Sequence, residues 1–342
     1  MNRKDEHVSL ARAFHKPTSN GFDDLRFIHR SLPEITVSET TIETSLFQRK
    51  MPPIYLNAMT GGSEKTKKIN QQLASAAKRT GLMMATGSVS AALKDPTLAD
   101  TFTIVRETNP TGVVLANIGA GKTLGDAQQA VELLAADALQ IHLNAPQELV
   151  MPEGDRDFRG WLAEIAAITA KLSVPVIVKE VGFGMSRETV TQLMSAGVTF
   201  VDLGGSGGTD FIQIENARRP QRELTDLLGW GLSTTESLLD TAGLPITRLA
   251  SGGVRQPLDV VKALALGASA VGVAATFLQE LLSHGEDALV LMIQQWLQEI
   301  QLIMTMLGAK DLQQLQKAKL VISGNTKDFC DAREISIQPW AR

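Results

Sequence analysis

The chain has 342 residues, of which 44% are hydrophobic, 5% aromatic and 20% charged, with a single cysteine. Its 33 Lys and Arg against 37 Asp and Glu leave a formal net charge of -4, which excludes the basic excess of an obligate nucleic-acid binder. The composition is that of a globular protein, not of a disordered, fibrous or disulfide-rich chain, and Cys330 alone forms neither an internal disulfide nor a cysteine-ligated cluster.

The first residues, Met-Asn-Arg-Lys-Asp-Glu-His, have no apolar stretch behind the basic pair, so no secretory signal is expected. The most apolar run, Asp259 to Phe277, carries Asp259 and Lys262 and is broken by two glycines, which argues against a membrane span. A cytoplasmic protein is the expectation. Residues 1–45 are polar and mixed in charge, and read as an N-terminal extension able to close over an active site. Residues 46–342 read as one domain, because no Pro-, Gly- or Ser-rich linker divides them.

From there the pattern is regular. Short apolar or β-branched runs fall at 54–56, 82–84, 112–115, 138–141, 174–178, 199–203, 246–249 and 268–274. Helix-period segments lie between them, at 65–80, 126–136, 158–172, 186–196, 233–242 and 257–266. Ser186 is placed to cap one of these, Pro257 falls at a first helical position, and Gly81, Gly197 and Gly267 end others. A further helix-like stretch, 288–307, suits either subunit contacts or the outer wall. Eight buried strands alternating with helices predict a parallel sheet, and eight such units close into an α/β (β/α)8 TIM barrel.

Polar and small residues gather at the strands' C-terminal ends, where barrel active sites lie. These ends carry Asn57 to Gly62, Thr86-Gly87-Ser88, Asn117, His142 to Glu148, Lys179-Glu180, Gly204 to Thr209, Ser251 to Arg255 and Gly272 to Ala275. The two Gly-rich loops after strands seven and eight point to a phosphate site, since glycine lets backbone N–H groups reach phosphate oxygens. Lys179 ends an apolar strand. Its ammonium requires an anionic counterpart, either Glu180 or Asp202 in a structural ion pair or an electron-rich ring in the barrel mouth. Glu148 suits a Mg²⁺ that also ligates substrate phosphate. Three motifs fail on spacing or chemistry. The segment Gly119 to Thr123 has Ala116 where a P-loop needs glycine, Gly205-Ser206-Gly207 has Asp210 where a dinucleotide fingerprint needs its third glycine, and residues 39–43 are only a polar patch.

Taken together, Arg3-Lys4-x-x-His7, Asn57 to Gly62, Asn144-x-x-Gln147-Glu148, Val178-Lys179-Glu180-x-Gly182, Gly204 to Thr209, Ser251 to Arg255 and Gly272 to Ala275 resemble the flavin-dependent, type 2 isopentenyl-diphosphate isomerases. The resemblance implies a barrel holding FMN and assembled as a homo-oligomer, a tetramer or octamer. It implies interconversion of isopentenyl and dimethylallyl diphosphate with Mg²⁺ and reduced FMN, NADPH serving as an external reductant. FMN would contact Ala58, Met59, Thr60, Ser88, Asn117, Lys179 and Thr209, with its phosphate on Gly253, Val254, Arg255, Ala274 and Ala275. Substrate would be held by Arg3, Lys4, His7, Ser88, Asn144 and Gln147, and Mg²⁺ by Glu148, with Lys179 and Gln147 as the catalytic side chains. One position departs: Ser90 stands where the family commonly has arginine, so one diphosphate contact is in question.

Redox relatives of the same architecture fit less well. Hydroxy-acid oxidases need a histidine after strand seven, and the five histidines are His7, His15, His29, His142 and His284. Nucleotide dehydrogenases need a cysteine after strand six, and Cys330 lies beyond strand eight. A flavin-binding barrel without turnover is the remaining alternative.

Overall fold

The structure is a computed structural model, and it describes residues 20–219, 221 and 223–342. Eight parallel strands close on themselves: β1 (Ile54–Leu56), β2 (Met83–Ala85), β3 (Val114–Gly119), β4 (Ala138–Leu143), β5 (Val176–Glu180), β6 (Phe200–Asp202), β7 (Thr247–Ser251) and β8 (Ala270–Val273). Closure is made by β8 against β1, with Val271 opposite Ile54 and Val273 opposite Leu56. The expected (β/α)8 barrel is the observed one. The strands are buried on both faces, as a parallel sheet under a layer of helices must be.

Local chemistry sets the helix boundaries. Ser63, Thr123 and Ser233 each accept from the third amide of the helix they open, and Thr66, Asp126 and Glu236 return the bond. Pro257 opens the helix Pro257–Ala265, and Gly81 ends Glu64–Thr80 at φ +70°.

Three helices carry no clear sequence signal. Asp100–Thr108 crosses from β2 to β3 and is rich in β-branched residues. Phe211–Arg218 buries Ile212, Ile214, Glu215 and Asn216, positions that do not form one stripe. Ala275–His284 follows β8 so directly that its start reads as strand.

The hairpin of Thr44–Leu46 and Arg49–Met51 plugs the barrel's N-terminal end. Leu46 and Met51 join Tyr55, Met83, Leu115, Ile177 and Leu249 in one apolar cluster, and the Phe47 ring lies 5.3 Å from that of Phe200 at the start of β6. Among the described residues, the barrel's cavity lies at the strands' C-terminal ends. Residues 25–27 pair antiparallel with Leu320–Ile322, and Phe22 and Leu25 belong to the core. No described helix is long and apolar enough to cross a membrane.

Candidate active site

The strand register builds the centre of the site. His142 on β4 lies opposite Lys179 on β5, and Lys179 lies opposite Asp202 on β6. Lys179 is 6% exposed, and its Nζ sits 2.9 Å from Asp202 Oδ2, 2.9 Å from Ser251 Oγ and 2.9 Å from the Glu180 carbonyl. An ammonium has three N–H bonds, so all are spent on these acceptors. Asp202, fully buried, also accepts from Tyr55 Oη at 2.5 Å and Ser251 Oγ at 2.7 Å. Of the two carboxylates the sequence offers Lys179, Asp202 is the partner. The Glu180 carboxylate instead accepts from the amides of Val181, Gly182 and Phe183 at 2.6, 2.8 and 2.6 Å. Burial pushes its pKa up to about 7, against the downward pull of those amides and of Lys179.

A second wall descends from β3 and β4. Asn117 donates its amide to Gln140 Oε1 at 3.1 Å, and its Oδ1 lies 2.8 Å from His142 Nδ1. The short helix Ala145–Val150 follows β4. There Asn144 Nδ2 donates to Glu148 Oε1 at 2.9 Å, and Gln147 Nε2 donates to Glu215 Oε1 at 3.0 Å. Glu215 is fully buried and pairs with Arg218.

The opposite wall is a cradle of backbone. Gly252 has φ +97°, and a Cβ there would lie 1.9 Å from the Gly205 carbonyl; at Gly208 it would lie 2.9 Å from Gly253 N. Only glycine lets these two loops meet. Ala274 opens the helix Ala275–His284 and offers no capping side chain, so the first-turn amides keep their donors for another acceptor. The Arg255 guanidinium lies across the loop and donates to the Gly207 carbonyl at 2.8 Å.

These walls enclose one cavity of about 820 Å³. It is lined by Ala58, Met59, Thr60, Ser88, Asn117, Asn144, Gln147, Glu148, Lys179, Thr209, Gly253, Val254, Arg255, Ala274 and Ala275, which are all the expected site residues in the described chain. Arg3, Lys4 and His7 lie outside the described residues. Ser88 and Ser90 share a hydroxyl–hydroxyl bond of 3.1 Å on the cavity wall.

Two buried residues of the site carry no expectation from sequence, whereas His142, next to last in β4 as Lys179 is in β5, belongs to the strand-four rim that the sequence marks out. Tyr55 lies inside an apolar run and Glu215 on a helix without a stripe, and neither has a local signal.

The donor set fits FMN. Glycine loops and an uncapped helix N-terminus suit a phosphate, and the Thr60 hydroxyl is buried with no partner among the described residues. For Mg²⁺, which needs only one or two carboxylates beside substrate phosphate and water, Glu148 on the cavity wall would serve, and no group of three or more His, Cys, Asp or Glu forms a cage among the described residues.

Comparison with known proteins agrees. Residues 106–322 match the model of the FMN-dependent dehydrogenase family. The isopentenyl-diphosphate delta-isomerase of Latilactobacillus sakei is 52% identical over 98% of this chain and 97% of its own. The chain belongs to the type 2, FMN-dependent isopentenyl-diphosphate delta-isomerases. Other members are equally full-length matches: that of Staphylococcus haemolyticus is 47% identical over 98% of this chain and 97% of its own, and that of Streptomyces sp. strain CL190 is 48% identical over 99% and 94%. The barrel also superposes on a flavocytochrome b2 double mutant with pyruvate bound (TM-score 0.71, 20% identity, 97% of this chain, 85% of the other) and on a mandelate oxidase variant (TM-score 0.65, 18% identity, 94% and 91%), likenesses of fold alone.

Proposed function

We propose that this isopentenyl-diphosphate isomerase moves the double bond of its substrate by adding a proton to the terminal methylene carbon and removing one from C2. It works with FMN and Mg²⁺, NADPH reduces the flavin from outside, and the enzyme acts as a cytoplasmic homo-oligomer. The observation that carries this reading is that a backbone cradle suited to phosphate, the buried Lys179 and the Glu148 carboxylate of the loop after β4 all line one cavity. Bound FMN, once reduced, supplies acid–base chemistry to a substrate whose alkene offers no polar handle.

The chain's own residues hold and orient. Gly253, Val254, Ala274 and Ala275 take the flavin phosphate, and Thr60 and Asn117 take polar atoms of the ring system. Lys179 acts by its charge, because its three donors are already occupied; it stabilises negative charge in the barrel mouth without moving a proton. Glu148 places Mg²⁺ against the diphosphate, while Arg3, Lys4, His7, Ser88 and Asn144 bind the same group. The remote diphosphate thereby provides the binding energy that fixes the alkene. Gln147, tied through Nε2 to Glu215 and through Oε1 to Asn144 Nδ2, supports the pose by holding Asn144 in place. The two serines at 88 and 90 offer hydroxyls in place of the family arginine.

The test is anaerobic turnover of isopentenyl diphosphate with FMN, Mg²⁺ and NADPH, each omitted in turn. Dimethylallyl diphosphate should form only with reduced flavin and Mg²⁺. Conversion without flavin, or none by a protein that retains FMN, defeats the reading. The Glu148→Gln variant should need about tenfold more Mg²⁺ for half-maximal rate. An unchanged Mg²⁺ titration removes Glu148 from the metal site.

A further inference from the structure

The loop after β7 is held from outside in an orderly way. The carbonyls of Ser251 and Gly252 both accept from Thr234 Oγ1 at 2.8 Å, that of Gly253 accepts from Asn20 Nδ2 at 2.7 Å, and that of Val254 accepts from Thr276 Oγ1 at 3.0 Å. Across a trans peptide the C=O of one residue and the N–H of the next point in opposite directions. Each bond on the outer side therefore sets the direction of the next amide. Asn20, holding the Gly253 carbonyl, turns the Val254 N–H to the far side, where Gly253 and Val254 line the cavity.

Asn20 comes from the segment ahead of the barrel, yet it is 2% exposed, and its own position is fixed. Its Oδ1 accepts from the Phe22 amide at 3.0 Å, and the Phe22 carbonyl accepts from Lys262 Nζ at 2.8 Å. Lys262 lies one turn beyond Asp259, whose carboxylate accepts the Arg255 amide at 3.0 Å. The brace thus meets the phosphate loop at Gly253 and again, through the helix Pro257–Ala265, at Arg255. A Cβ at Gly253 would lie 2.7 Å from that of Asn20, so the two backbones are packed together as well as bonded.

We propose that Asn20 is a positioning residue for the flavin phosphate: it aims the Val254 amide at the phosphate without touching the ligand. The proposal rests on the FMN reading of the cavity. Its signature is selectivity. Loss of Asn20 should weaken a flavin that carries a phosphate and spare one that lacks it.

The experiment compares FMN with riboflavin, both oxidised, by quenching of flavin fluorescence on the full-length protein stripped of flavin. Apoprotein melting temperature is measured alongside. In Asn20→Ala the FMN dissociation constant should rise about tenfold, the worth of one buried hydrogen bond, while that of riboflavin stays within about twofold. Asn20→Asp keeps the shape and the bond from Phe22 but sets a carboxylate against the Gly253 carbonyl, and should show at least the same loss of preference. A variant that keeps the wild-type FMN-to-riboflavin ratio overturns the assignment, whether both affinities hold or both fall together, because the role is then absent or merely structural. A wild-type protein with no preference for FMN over riboflavin overturns the phosphate-site reading itself, a result distinct from failure of Asn20 alone.

Discussion

The two ends of the barrel treat their polar groups in opposite ways. At the sealed end, Arg106 donates to the carbonyls of Leu134, Ala135, Asn109, Pro110 and Gly112 and pairs with Asp137 at 2.8 Å, and Asp137 also meets Arg49 at 3.3 Å. At the open end, the Thr60 hydroxyl lines the cavity and is buried with no partner among the described residues, and the helix after β8 has no side-chain cap. Buried polar groups are ordinarily satisfied, and an unsatisfied one costs about 1–3 kcal/mol. The sealed end is arranged for stability. The open end keeps donors and acceptors in reserve for a ligand.

Three substitutions sharpen that contrast. The largest effect is expected midway between the ends, where Lys179 and Asp202 are buried as a pair. Asp202→Ala leaves the ammonium without its carboxylate and should cost about 3–5 kcal/mol of stability in chemical denaturation. A cost below about 1 kcal/mol means that the buried pair contributes little to holding β5 against β6.

Next comes Glu180, whose carboxyl is raised to about 7 in the folded chain. Between its ordinary value of 4.5 and 7 the folded state binds more protons than the unfolded one, so stability falls as pH rises through that window, by about 3 kcal/mol. All three amides donate to one oxygen, Oε2, and a glutamine carbonyl can take its place. Glu180→Gln should therefore flatten stability against pH from 4.5 to 7. An equally steep profile in the variant assigns the slope to another group.

The smallest effect belongs to the sealed end. Arg106→Ala should lower stability by about 2 kcal/mol, through carbonyls left without their donor, and leave the FMN dissociation constant within about twofold. A parallel tenfold loss of FMN affinity would erase the distinction between the two ends.

How much of this is legible in the sequence varies with range. The eight strand runs are local patterns of apolar and β-branched residues, and each agrees with a barrel strand to within a few residues. The cavity-facing positions follow from the strands, since the last residue of each must reach the open rim. The resemblance carried in Asn144-x-x-Gln147-Glu148 and the glycine loops then points to a chemistry, because those motifs are contiguous in the chain. The partners of the buried groups are another matter. Tyr55 and Asp202 are 147 residues apart, Lys179 and Ser251 are 72 apart, and Asn20 and Gly253 are 233 apart.

Sequence alone therefore determined the alternating strands and helices, the closed barrel and the rim where the chemistry gathers, because periodicity, caps and turn glycines act over a few residues. Tertiary structure alone decided that Asp202 and not Glu180 takes the charge of Lys179, that Glu215 holds Gln147, and that Asn20 braces the glycine loop after β7. Those choices depend on strand register and on barrel closure, which bring distant segments within 3 Å and which no local pattern encodes.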